Sequence, residues 1–274
     1  MMRDISTAPA TGSDRGTSVR RQAGRRAGPD RSTPPSDAHP LLAAHGGELT
    51  VQHLGTVAYE PAWELQDELA QQRRERRIGD RLLLLEHFPV YTIGRGGNQA
   101  NLLASPERLR QLGAAFYRID RGGDVTFHGP GQIVAYPIVE LRDPLDLRRY
   151  VRALEVAVMA TLGAFGVAAE RIDELPGVWV EGRRKIAAIG VRVRRAVTTH
   201  GLALNVATDL RWYEEMIPCG IPDREVTSLV RELGKPVATD DVADRLAAEL
   251  AAALGLRLEG ALPGIVGPAG GREQ

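Results

Sequence analysis

The spacing of apolar and polar residues changes character several times along this chain of 274 residues. Residues 1–45 carry no period at all: large apolar side chains are almost missing, and Pro, Gly, Ser and Arg crowd the stretch, which predicts a disordered tail. Residues 48–54 read as a first strand. A helix then opens at Pro61, runs through Trp63, Leu65 and Leu69 to the arginines at 73–77, and stops before Gly79. The run Leu82-Leu83-Leu84-Leu85 makes residues 81–87 a strand buried on both faces, ended by Pro89. Ser105-Pro106-Glu107 combines an N-cap with proline at the first helical position, and that short helix ends at Gly113. Residues 116–120 and 133–140 are strands on either side of a glycine-rich loop. A helix over 144–162 ends at Gly163, 178–180 and 185–193 form a hairpin around Gly182, and 199–206 make another strand. Helices over 228–233 and 240–254, the second capped by Thr239, close the pattern. Strands in the middle with helices around them predict an α+β fold with a mixed or mostly antiparallel sheet. The expected organisation is a disordered tail over 1–45, one folded domain over 46–262, and a flexible tail over 263–274.

Composition narrows the function. At 43% hydrophobic and 26% charged, the chain has material for a sizeable core. Thirty-five basic residues balance 35 acidic ones, so neither nucleic acid nor an acidic membrane is an expected partner. Aromatic residues at 5% argue against base-stacking surfaces. No apolar run approaches the roughly 18 residues of a membrane span. The single cysteine, Cys219, excludes an internal disulfide framework and a Cys-cluster zinc site. The N-terminal stretch has no hydrophobic core of a secretory signal. It is rich in Arg and Ser, as a mitochondrial presequence would be, yet it carries four aspartates and no amphipathic stripe. A cytoplasmic location is expected, with the tail dispensable or the start site over-extended.

Only Lys185 and Lys235 are lysines; every other basic residue is Arg. A lysine kept in such a chain hints at a site that needs an amine able to lose its proton, which Arg cannot do. Four segments could carry chemistry. The loop from Arg121 through Gly122, Gly123, Asp124, Val125, Thr126, Phe127 and His128 to Gln132 lets backbone approach a ligand and present free N–H groups. A strand follows it, and its glycine spacing fits neither the dinucleotide fingerprint nor the P-loop. A long β-turn would also explain its glycines. Lys185 opens a strand whose neighbours Ala187, Ala188 and Gly190 are small and leave space, though a lysine at a strand end can simply snorkel. His200 begins the strand His200-Gly201-Leu202-Ala203-Leu204-Asn205, where a histidine is as readily structural as catalytic. A lone cysteine is usually buried and inert, but Cys219 sits in the turn Pro218-Cys219-Gly220, which would expose the sulfur and aim backbone N–H groups at it, and nearby cations would lower its pKa. A zinc site from His128, His200 and Cys219 lacks tight ligand spacing, and no metal is expected. The arginines at 73, 74, 76 and 77 and at 148, 149 and 152 read as solvated helix faces, or as a landing surface for an acidic partner.

In this order, the four motifs resemble those of the lipoyl(octanoyl) transferases, the octanoyl-[acyl-carrier-protein]–protein N-octanoyltransferases, from about residue 49 to 256. The signature pieces are Arg121-Gly122-Gly123 with His128-Gly129-Pro130-Gly131-Gln132, Lys185-Ile186-Ala187 with Ile189-Gly190, His200-Gly201 with Ala203-Leu204-Asn205, and Pro218-Cys219-Gly220. The resemblance implies a fold like the catalytic domains of biotin and lipoate protein ligases. It implies that Cys219 is an acyl-thioester nucleophile and that Lys185 lowers its pKa and shuttles protons. It implies a substrate pocket lined by Arg121, Gly122, Gly123, Asp124, Val125, Thr126, Phe127 and His128, by Ala188, Ile189 and Gly190, and by Gly201, Leu202 and Ala203. Position 124 is Asp where relatives often carry Gln or another polar residue, so the resemblance extends to the loop but assigns that side chain no role. The implied donor is octanoyl-acyl-carrier protein, and the acceptors are lipoyl domains of 2-oxoacid dehydrogenase complexes and the glycine-cleavage H protein. No cofactor is implied, and a monomer is expected. The competing readings are an ATP-dependent lipoate or biotin ligase on the same fold, which would need no nucleophilic cysteine, and a non-catalytic module that binds acyl groups or carrier protein.

Overall fold

A computed structural model describes residues 47–143, 146–217 and 224–262. The expectations for both tails and for the placement of Cys219 lie outside the described residues. In chain order the strands are β1 (Glu48–Val57), β2 (Asp80–His87), β3 (Val90–Ile93), β4 (Ala115–Arg118), β5 (Val125–His128), β6 (Gln132–Ile138), β7 (Glu170–Ile172), β8 (Leu175–Val180), β9 (Arg184–Arg194), β10 (Val197–Asn205), β11 (Glu225–Val226) and β12 (Arg257–Leu262). The helices are α1 (Tyr59–Arg74), α2 (Pro106–Leu112), α3 (Leu147–Ala164), α4 (Leu229–Leu233) and α5 (Thr239–Leu254).

The main sheet runs β12-β1-β2-β6-β10-β9-β8-β7, with β11 on β9. β12 and β2 are parallel to β1, while the run from β2 through β6, β10, β9 and β8 to β7 is antiparallel. A second sheet, β4-β3-β5, stands beside it. This is the mixed, mostly antiparallel α+β architecture that the sequence predicts.

The four-leucine run shows why both faces of the main sheet are covered. Alternation sends Leu82 and Leu84 toward α3 and α5, into the cluster holding Leu154, Val158, Leu246 and Leu250. It sends Leu83 and Leu85 the other way, onto Leu69 and Ala70 of α1. Burying such a side chain stabilises by about 2 kcal/mol relative to exposure, so each face holds its helices by area alone.

Several expectations need correction. α1 begins at Tyr59, which leaves Pro61 in its first turn, where a missing N–H costs no bond. Arg73 is not part of a solvated face: it is 1% exposed, with Nε 2.6 Å from Asp80 and Nη1 2.7 Å from Glu140. Arg76 and Arg77 lie beyond the last helical residue. The cap of α5 is Ala238, and Thr239 is already helical; Asp240 and Asp241 in the first turn complement the helix dipole instead. β3, β5, β7, β11 and β12 are strands that the sequence pattern does not predict. Pro89 ends β2, but the chain resumes an extended course one residue later, and β5 is a strand set inside the glycine-rich segment. Among the described residues, no helix is long and apolar enough to cross a membrane.

Candidate active site

A cavity of about 570 Å³ lies between the glycine-rich loop and strands β9 and β10. Its walls include Leu147 and Val151 of α3, residues 174–176, Trp179 and Lys185. Of the fourteen positions expected to line a pocket, thirteen do so; Phe127 does not. In β5, Thr126 and His128 reach the cavity, while the Phe127 ring stacks on Trp212 at 4.9 Å and packs with Tyr91. Period-2 alternation puts Phe127 in the small sheet's own apolar cluster.

One end of the cavity is built around Lys185. Val178 pairs with Ala187, yet Trp179 pairs with Lys185, so β9 carries one extra residue at Ile186. This bulge re-aims Lys185 to the Trp179 side of the hairpin, and its Nζ lies 5.0 Å from the centre of that ring. Lys185 is 8% exposed. Gly177 makes the space for it. Its φ is +123°, and a Cβ there would meet Lys185 Cε and the Ala187 carbonyl oxygen, each at 2.6 Å. The Gly177 N–H donates to the buried carboxylate of Glu155 at 3.2 Å.

The segment with Cys219 is flanked by two fixed points. On the near side, Met216 bridges to Leu102, and Ile217 N–H donates to Asn101 O at 2.7 Å. On the far side, Val226 pairs with Lys185, and Thr227 N–H donates to Lys185 O at 2.9 Å. Arg224 also stands over the Trp179 ring, 5.5 Å from its centre.

The loop is held from within. Arg121 is 7% exposed, and its guanidinium donates to Gly122 O, Thr92 O, Thr92 Oγ1 and Asp124 O at 2.9–3.0 Å. It borders the cavity, but these hydrogen bonds go to loop and β3 atoms. Asp124 accepts from Asn98 N–H at 2.9 Å, from Val125 N–H at 2.8 Å and from Asn101 Nδ2, so it ties residues 98–101 to the loop. Gly190 and Gly201 face each other across β9 and β10. A Cβ on Gly190 would meet Arg121 Cδ at 2.8 Å, and one on Gly201 would meet Ala135 O at 2.1 Å. Their smallness admits protein atoms as much as ligand. Ala187, expected to leave space beside Lys185, is in the main core.

At the other end stand His128, Tyr59, Tyr136 and His200. Gln132 Nε2 donates to Phe127 O, so its Oε1 faces His128 Nδ1 at 2.8 Å and accepts that proton. The neutral ring then keeps a lone pair on Nε2. Burial depresses the His128 pKa well below the ordinary histidine value. His87 behind it donates from Nδ1 to Val57 O at 3.0 Å and accepts from Tyr136 OH at 2.9 Å. Burial pushes its pKa down to about 4. His200 Nε2 lies 2.9 Å from Asp120 Oδ1, whose carboxyl is held below its usual range by that bond. His128 and His200 thus have protein partners, and the described residues hold no metal-ligating cluster.

Comparison with known proteins decides the family. Residues 58–251 match the lipoyl protein ligase A/B catalytic domain. An octanoyltransferase of Chloroflexus aggregans is 51% identical over 217 residues, covering 78% of this chain and 98% of that protein. The chain belongs to the octanoyltransferases of this family. An octanoyltransferase of Solibacter usitatus is 50% identical, covering 71% of this chain and 88% of that protein. Among solved structures, a bipartite lipoate protein ligase with its E2 lipoyl domain from Thermoplasma acidophilum superposes with a TM-score of 0.62. It is 20% identical and covers 79% of this chain and 88% of its own, so it bears on the fold alone. The family and the fold expected from the four motifs both hold.

Several residues of the site carry no signal in the sequence, among them Tyr59 and Trp179 on the cavity wall and Gly177 beside Lys185. Tyr59 sits at a helix start, where nothing marks an aromatic as facing a pocket. Gly177 follows Pro176, a dipeptide that signals a turn but not that a lysine crosses it.

Proposed function

We propose that this enzyme takes an octanoyl group from octanoyl-acyl-carrier protein onto Cys219 and passes it to the lysine of a lipoyl domain, with Lys185 as the activating residue. The observation that supports this most is the Lys185 setting: a buried lysine on the cavity wall, seated by a bulge and by Gly177, with the chain on the far side of the Cys219 segment hydrogen-bonded to its own strand.

The chemistry suits those groups. The Lys185 ammonium favours the Cys219 thiolate, which attacks the thioester carbonyl. The C–S bond to the carrier breaks, and the departing thiolate takes a proton from Lys185. Lys185 is then a neutral amine. The acceptor amine attacks the Cys219 thioester and gives its proton to Lys185, and Cys219 leaves as a thiolate. Both residues return to their starting state. A thioester becomes an amide, which is downhill, so no nucleotide is consumed. The acyl chain would lie along Ala188, Ile189 and Leu202. Burying its methylenes at about 0.8 kcal/mol each supplies roughly 5 kcal/mol of grip. The carrier would approach where Leu147, 39% exposed, meets the cavity beside Arg148 and Arg149.

Intact mass spectrometry after mixing with octanoyl-carrier protein tests this reading. One octanoyl adduct is expected on the wild-type chain and none on Cys219→Ser, which has no other thiol. Turnover by wild type with no adduct under trapping conditions would remove Cys219 as nucleophile. Pyrophosphate release would favour the ligase reading.

A further inference from the structure

Asp120 lies outside the cavity wall, yet it joins the two sheets that enclose it. It follows β4 of the small sheet and immediately precedes Arg121. One carboxylate oxygen accepts from His200 Nε2 of β10 at 2.9 Å, and the other pairs with Arg192 of β9. Two positions on, Gly122 N–H donates to Val191 O at 3.0 Å. The dipeptide Asp120-Arg121 therefore works in two directions: Arg121 binds the loop to β3, and Asp120 binds it to the main sheet.

His200 is held in an unusual way. It sits inside β10 with φ +57°, in the left-handed region that residues other than glycine rarely occupy. The facing strand β6 carries Pro137 here, which has no N–H to offer the ladder. The His200 N–H turns away and donates to Gln66 Oε1 of α1 at 2.7 Å. The side chain is 2% exposed and borders the cavity, and its Nδ1 has no hydrogen-bond partner among the described residues. A carboxylate only accepts, so the ring proton is on Nε2, and among the described residues Asp120 is the hydrogen-bond partner of a ring that packs edge-on against Tyr136. Backbone strain and a buried lone pair at a cavity wall mark a position whose geometry serves a ligand site rather than packing.

We propose that Asp120 and His200 form a positioning pair, whose bond sets the spacing of the two sheets across the cavity and thereby the grip on the acyl donor. This rests on the octanoyl-transfer reading. Asp120→Ala removes both bonds; Asp120→Asn keeps an acceptor but loses the charge that Arg192 meets. With octanoyl-pantetheine as donor, which removes carrier docking from the measurement, the expected KM rises about tenfold in Asp120→Ala, equivalent to about 1.4 kcal/mol. It rises about threefold in Asp120→Asn, and kcat stays within about twofold in both, as for lost uniform binding. Octanoate binding by calorimetry should weaken in the same order, and it reads the grip without turnover. An inactive wild type that binds octanoate would therefore count against the transfer reading and not against the pair. An unchanged donor KM and octanoate affinity in Asp120→Ala would overturn the pair, as would a fall in melting temperature and kcat with KM unmoved. Should Asp120→Ala fail to fold, wild-type KM and affinity in Asp120→Asn would overturn it equally.

Discussion

At the Lys185 end of the cavity, position is set by shape: a bulge at Ile186 aims the side chain, Trp179 supports it, and Gly177 leaves it room. At the His200 end, position is set by hydrogen bonds and charge: Asp120, Arg192, Gln66, Gln132 and Tyr136 hold rings that packing alone would let turn. Shape tolerates no added atom but is indifferent to pH. A hydrogen-bonded end gives under added bulk but depends on which groups carry protons. The placement of the Lys185 side chain thus does not depend on which neighbouring groups carry protons, and the placement of the His200 ring does.

The sharpest way to break this contrast is Gly177→Ala. The new Cβ would sit 2.6 Å from Lys185 Cε on a backbone with φ +123°. Acyl transfer should fall about 100-fold, the scale expected when a reacting group shifts by about 1 Å. Transfer near the wild-type rate would show that Lys185 reaches its place without the cleft at 177.

A second test is acid. His87 is protonated in the unfolded chain below its ordinary pKa of about 6.5, but in the fold only near pH 4. Its contribution to stability is therefore complete above about pH 6.5 and is lost as pH falls toward 4, by about 3 kcal/mol. His128, shifted in the same direction, adds to the loss. Denaturant unfolding at pH 7 and pH 5 should show this slope, and His87→Gln, which can donate to Val57 O and accept from Tyr136, should flatten it. Equal stability of wild type at both pH values would contradict a hydrogen-bonded end built on neutral imidazoles.

The smallest expected effect sharpens the boundary between cavity and core. Phe127→Leu should lower stability by about 1 kcal/mol, since it trims a buried side chain without inserting a polar group. The donor KM should stay within about twofold, because the ring faces Trp212 and Tyr91. A large KM change would put Phe127 back on the cavity wall.

The glycine-rich loop was legible because its parts are contiguous: Arg121 through Gln132 lie in one stretch, and an unusual density of Gly, Thr and His shows without knowing the fold. The four-leucine run likewise announced a doubly buried strand. What escaped was relational. Asp120 and His200 are 80 positions apart. Nothing in either neighbourhood says that a strand pairing will set β10 against the end of β4. Arg73 was misread because a run of arginines has the same composition whether a helix end is solvated or buried; only the carboxylates of Asp80 and Glu140 decide it. Arg121 was identified as a lining residue, but four hydrogen bonds within the loop and to β3 are a matter of rotamer and not of spacing.

The pairing of β12 with β1 carries a consequence for how the chain is made. Thr50 donates to Glu259 and Arg257 meets Glu48, each across 209 positions. Among the described strands, β1 leaves the ribosome first and its outer neighbour last. Until residues 257–262 emerge, β1 presents an open row of N–H and C=O groups, the kind of edge on which chains pair with one another. A domain closed by its most distant pairing also folds late and slowly. Premature termination within α5 would therefore leave a nascent chain that holds every residue of the cavity wall but whose β1 is uncovered, a substrate for chaperones rather than an enzyme.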